Sequence, residues 1–232
     1  MKRFYKDVQL NQEDKGHSIT LDGKSVRTPS RQTLKLPTLP LAQAIAGEWR
    51  NQGDDINPAG MPLTQLANTA IDQTGPNRIR IIEQVAAYGQ TDLLCYRVAQ
   101  PVDLAELQEK SWQPLLNWCE AEFQASLKTT TDLAPLEQPE ASLLAIFSAV
   151  AQLDDFSLTG LSAGTAASGS VILGLALPRH RLTADEACSL AQLDEQYQSE
   201  QWGEDPDSKA QRESVRQAIA LAASFMTLSE PE

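Results

Sequence analysis

Apolar positions alternate with polar ones near the N-terminus, then take up helical spacing along most of the chain. Val8 and Leu10 alternate with polar neighbours, and Ile19 and Leu21 do the same. A period of two predicts strands with one buried face. Asp22-Gly23 is a two-residue turn signal, because glycine accepts the positive φ of a tight hairpin. Val26 continues on the return strand, which Thr28-Pro29 ends, and Leu34 and Leu36 predict another strand stopped by Pro37. At Thr38 the period changes. Thr38 is a predicted N-cap, and Pro40 falls in the first turn, where its missing N–H costs nothing. Leu41, Ile45 and Trp49 share one helical face. Residues 51–58 read as loop. Leu63, Leu66, Ala70 and Ile71 form the stripe of a short helix that ends at Thr74-Gly75-Pro76-Asn77.

The remainder reads as helical. Ile79 to Tyr88 is one helix, with Ile82, Val85 and Ala86 inward. Asp92 to Tyr96 is apolar and fits either a helix end or a strand. Leu104 to Leu127 is a long helix anchored by Leu104, Leu107, Trp112, Leu115, Leu116 and Phe123, followed by a loop to Pro139 and a helix from Ala141 to Leu153. Thr159 to Leu177 reads as one uncharged helix whose small residues, among them Gly164 and Gly174, admit close neighbours. Thr183-Ala184-Asp185-Glu186 is a capping box opening a helix that runs past Leu190, Leu193 and Tyr197 to Gly203. Asp205-Pro206 starts a last helix, striped by Val215, Ile219, Ala222 and Met226. The expected fold class is α+β. An N-terminal antiparallel β-rich domain with one or two helices (1–74) is followed by a C-terminal helical domain (75–232).

Composition narrows the function. The chain has 232 residues, 41% of them hydrophobic and 22% charged, which is ordinary for a globular protein able to bury a core unaided. Its net charge is −12. A phosphate backbone needs a positive footprint, so nucleic acid and anionic membrane surfaces are poor partners and a basic protein surface is a better one. Cys95, Cys119 and Cys188 are widely spaced and form no C-x-x-C pair, so buried thiols in a reducing compartment are expected. No secretory h-region follows Met1-Lys2-Arg3. The uncharged stretch from Phe156 to Pro178 is rich in Ser, Thr and Gly in its first half, and reads as a buried helix rather than a membrane span.

Catalytic patterns are weak. His17 and His180 are the only histidines, and neither sits in a nucleophile-elbow pattern. Gly164 to Ser170 imitates part of a phosphate loop but lacks its lysine. No ligand cluster for a metal is evident. No catalytic, cofactor-binding or metal residue is therefore assigned, and no cofactor is expected. The strongest anomaly is acidic: Asp194, Glu195, Glu200, Glu204, Asp205 and Asp207 occur without a basic residue among them, beside Tyr197 and Trp202. Carboxylates late in a helix oppose its dipole. The run fits either a solvated face or an aromatic-flanked patch that receives a basic partner.

Several blocks, in order along nearly the whole chain, resemble the assembly chaperone for the α subunit of the F-type ATP synthase. They are Arg3-Phe4-Tyr5-Lys6, the stretch Ile19 to Pro29, Leu36-Pro37-Thr38, Ala44-Ile45-Ala46-x-Glu48-Trp49, Met61-Pro62-Leu63-Thr64, Ala70-Ile71-Asp72, the distinctive Thr91 to Arg97, and Asp194-Glu195-x-Tyr197-Gln198 with Trp202-Gly203. The resemblance implies a non-enzymatic protein of two domains that holds the free α subunit until β subunits replace it. It implies partner binding by Glu195; Asp194, Glu200 and Trp202 are further partner-binding candidates from the acidic, aromatic-flanked run itself, and Trp202 fits either core or interface. Trp49, Asp92, Tyr96, Arg97 and Tyr197 are family-motif residues, and Trp49 is expected to serve packing. The family occurs in the mitochondrial matrix and in related bacteria. With no transit peptide before Arg3, a monomer in the bacterial cytoplasm is expected, although a mature mitochondrial form would look similar. A general peptide-binding module and a hydrolase with an acidic cleft are the competing readings.

Overall fold

A computed structural model describes residues 1–132, 134–203 and 205–231. In chain order it runs β1 (Val8–Glu13), β2 (Gly16–Leu21), β3 (Lys24–Ser25), β4 (Lys35–Leu36), α1 (Leu39–Arg50), α2 (Pro62–Thr69), α3 (Arg78–Ala86), α4 (Val102–Phe123), α5 (Glu140–Ala151), α6 (Asp155–Ser168), α7 (Val171–Ala176), α8 (Ala184–Ala191), α9 (Leu193–Trp202) and α10 (Pro206–Ser229). The α+β class and the N-terminal antiparallel sheet agree with the sequence. The chain divides into two compact units. One comprises Met1–Arg78, Asp154–Gly160 and Ser224–Glu232, and the other Ile79–Leu153 and Leu161–Ala223.

In the first unit β2 pairs antiparallel with β1 along its length (Val8↔Leu21 through Glu13↔Gly16), and with β3 and β4 near its two ends. Asp22 and Gly23 take φ of 48° and 78°, closing the β2–β3 hairpin as the sequence predicts. The Asp22 carboxylate accepts from the amides of Lys6 and Asp7, and those backbone bonds hold its pKa below the ordinary range. β2 departs from simple alternation, because Ser18, Ile19, Thr20 and Leu21 are all buried. Its small polar residues sit inside, Thr20 accepting from Asn11 Nδ2 at 3.4 Å. Thr38 caps α1 by accepting from Leu41 N, and α1 buries Leu41, Ala42, Ile45 and Ala46 in a core shared with Ile19, Leu34, Leu36 and Phe225. Each fully buried Leu or Ile there contributes about 1.5–3 kcal/mol.

In the second unit α4, a helix of 22 residues, buries Leu104, Trp112, Leu115, Leu116 and Cys119. It ends at Phe123, short of the expected Leu127, because Gln124 turns left-handed (φ 60°). Leu107, expected inside, is 40% exposed. Two expected helices are each divided. The uncharged run breaks after Ser168: Gly169 takes φ 72°, and Ser170 N-caps α7 by accepting from Leu173 N. The helix after the capping box breaks at Gln192, so α8 and α9 are separate. Among the described residues no helix is long and apolar enough to cross a membrane.

Candidate functional site

α9 and α10 border a groove of about 640 Å³ lined by Glu195, Gln198, Trp202, Asp205, Asp207 and Arg212, among others. Its shape follows from how α9 is held. Gln192, at the α8–α9 break, donates its amide to Arg212 O on α10 (2.9 Å). Arg212 donates to Ser199 Oγ on α9 (3.5 Å). On the other side of α9, buried Gln108 accepts from Val98 N and donates to Asp194 Oδ1 (2.7 Å), and Tyr197 donates to Asp103 Oδ2 (2.7 Å). That bond to Asp103 keeps the Tyr197 phenol protonated to a higher pH than usual. Gly203 (φ 83°) ends α9, and Asp205 starts α10, accepting from the amides of Asp207 and Ser208 and from the Ser208 hydroxyl. The Ser208 bonds hold the Asp205 carboxyl below its ordinary pKa.

The break at Gln192 corrects the expectation about the helix dipole. Asp194 and Glu195 lie in the first turn of α9, where the partial positive charge of a helix start favours them. The four residues given a partner-binding role then separate. Glu195 and Trp202 line the groove, and Trp202 is 75% exposed, so of its two readings the core one fails. Asp194 is committed to Gln108. Glu200 accepts from Gln196 (3.1 Å) and faces a smaller hollow of about 210 Å³ with Tyr197. Among the described residues, Glu195 and Asp207 carry groove carboxylates with no hydrogen-bond or ion-pair partner. Glu204, part of the acidic run, lies outside the described residues.

The family-motif residues lie elsewhere in the chain. Trp49 is half-buried, its ring 5.7 Å from that of Tyr5, whose hydroxyl donates to Trp49 O (2.6 Å). Its neighbour Glu48 has a role the sequence did not indicate. The Glu48 carboxylate accepts from Leu63 N, Thr64 N and Thr64 Oγ1 (2.6–2.8 Å), capping α2 from outside that helix. Asp92 is fully buried and accepts from Ser170 Oγ, Leu94 N and Ile172 N. Burial raises its pKa to about 6 against those bonds. Tyr96 Oη accepts from Leu136 N, and Arg97 pairs with Glu109 and donates to Gln113 Oε1 (2.9 Å). These groups fasten loops to helices. Burial pushes the Cys95 and Cys119 thiols up to about 12, so they are poor nucleophiles. Among the described residues no group of three or more His, Cys, Asp or Glu side chains is arranged to hold a metal.

Fold and groove together define a two-unit α+β protein with an open, acidic, aromatic-edged surface rather than an enclosed cavity. A family model described as ATP12 chaperone protein matches residues 2–120. The crystal structure of Atp12 from Paracoccus denitrificans superposes with a TM-score of 0.95 at 39% identity, covering 99% of this chain and 98% of that one. A protein of Agrobacterium tumefaciens superposes with a TM-score of 0.91 at 36% identity, covering 98% and 85%. "Protein atp12, mitochondrial" of Schizosaccharomyces pombe is 24% identical over 235 residues, 96% of this chain and 81% of that protein. The chain belongs to the ATP12 chaperone family, the ATP synthase assembly chaperones that its sequence blocks resemble.

Proposed function

We propose that this protein is a monomeric, cofactor-free and non-enzymatic chaperone of the bacterial cytoplasm that binds the free α subunit of the F-type ATP synthase until β subunits displace it. The α9–α10 groove is part of the binding surface. The observation that carries this reading is the pairing of an exposed Trp202 with the unpartnered carboxylates of Glu195 and Asp207 in one groove of a chaperone-family member. A lone ring subunit exposes surfaces that the assembled ring buries, and large exposed apolar patches aggregate. An acidic chain (net charge −12) attracts a basic partner surface and disfavours nucleic acid. Asp92, the buried carboxylate with the raised pKa, is sealed away from solvent, where it could serve no hydrolase.

The test is co-expression with the cognate α subunit, with the β subunit as control. Wild-type protein is expected to keep α soluble and to co-purify with it. Glu195→Lys is expected to keep its circular dichroism and melting temperature and to lose α recovery. Insoluble α with nothing co-purified sinks the client assignment, and a Glu195→Lys variant that unfolds sinks the site assignment.

A further inference from the structure

This inference rests on the groove being the client surface. We propose that the groove seats an arginine side chain presented by the partner, its guanidinium lying on the Trp202 indole and its N–H groups donating to Glu195 and Asp207.

The charged groups around the groove leave room for one more cation. Asp205 is taken up by the start of α10, Asp194 by Gln108 and Glu200 by Gln196. Arg212 lines the groove but is held to Ser199. Among the described residues, the Glu195 and Asp207 carboxylates have no hydrogen-bond or ion-pair partner, and they share the groove with Trp202, which is 75% exposed. Among the described residues, three groove carboxylates against one guanidinium give a net negative lining. An exposed aromatic side chain that shares one groove with solvent-exposed carboxylates suits a planar cation. Arginine stacks on the ring, is weakly hydrated, and offers a fork of donors, whereas lysine is a compact, strongly hydrated point charge.

The same chain already builds such a seat internally. The Arg179 guanidinium lies 4.5 Å from the centre of the Phe123 ring, while its Nε is 3.5 Å from a Glu122 carboxylate oxygen. Arg3 likewise lies over Tyr5 at 4.7 Å. At α9–α10 the ring and the carboxylates are present and the guanidinium is left for the partner to supply.

The experiment has two arms. In the first, the purified full-length chain is titrated at low salt with argininamide, lysinamide and citrulline amide. The emission change assigned to Trp202 is the difference between wild type and Trp202→Phe. Argininamide is expected to give a saturable change at concentrations at least threefold below lysinamide, and citrulline amide, which keeps the α-ammonium but has an uncharged side chain, none. Equal potency of the two cations, or no saturable change, overturns the proposal whatever the client proves to be. In the second arm, α-subunit capture is compared for wild type, Trp202→Phe and Trp202→Leu. Trp202→Phe is expected to retain most capture and Trp202→Leu to lose at least threefold. If Trp202→Leu captures normally while Glu195→Lys does not, the arginine seat is overturned and the groove reading survives. If both variants capture normally, the groove reading itself falls. Trp202 is solvent-exposed, so both substitutions are expected to fold, which circular dichroism checks.

Discussion

Asp92 satisfies three donors with one carboxylate: the Ser170 hydroxyl and the amides of Leu94 and Ile172. Asp92→Ala leaves all three unpaired in the interior, and the loss expected in urea unfolding is about 2–4 kcal/mol. Its titration has an unusual sign for a carboxylate. The folded pKa of about 6 lies above the unfolded value of 3.8, so the native state binds the proton more tightly. Asp92's contribution to stability is therefore greatest at acid pH, declines as pH rises towards 6, and is level above. Asp92→Asn lacks this titration. Across that window the unfolding free energy of the wild type is expected to fall relative to the variant, which paired pH–denaturation series would read. The residue stood out in the sequence, but its task did not. Ser170 and Ile172 lie 78 and 80 residues away, and no local pattern encodes so distant a partner.

Helices, by contrast, were legible wherever their signals are local. Thr38, the Thr183–Glu186 capping box and Asp205-Pro206 mark real starts, and Gly203 a real end. The break in the uncharged run also had a local signal, since a glycine followed by a serine is a helix stop and then an N-cap. Gln192 offered none; its break is fixed by a hydrogen bond to α10, and with it went the expected position of Asp194 and Glu195 in their helix. Two changes probe element boundaries. Glu48→Ala removes three hydrogen bonds from the start of α2 and is expected to cost about 1–3 kcal/mol. Gly174→Ala places a methyl 2.7 Å from Thr165 Oγ1 and 2.8 Å from Leu161 Cδ1, where α7 meets α6. The overpacking is expected to cost about 1–3 kcal/mol. Thr165 Oγ1 is buried without a partner, so adding Thr165→Ala is expected to restore part of the loss in thermal melts.

For the molecule as a whole, the order of strands before helices was readable from periodicity. The groove was not, because it exists only once α9 and α10 lie side by side. A charge of −12 belongs to this scale. The rate of α-subunit capture, followed by stopped flow, is expected to fall as salt is raised, with much less change in the release rate. The way α9 is attached has a different consequence. Leu193 is its buried residue, and much of the rest of its hold is polar: Asp194 to Gln108, Tyr197 to Asp103, Ser199 to Arg212. A segment that opens by trading protein hydrogen bonds for water uncovers little hydrocarbon, so urea gains little purchase on that opening. Deuterium uptake at the amides of α9 is therefore expected to be nearly indifferent to urea below the global transition, while uptake at amides in the middle of α4 is slow and quickens as urea is raised.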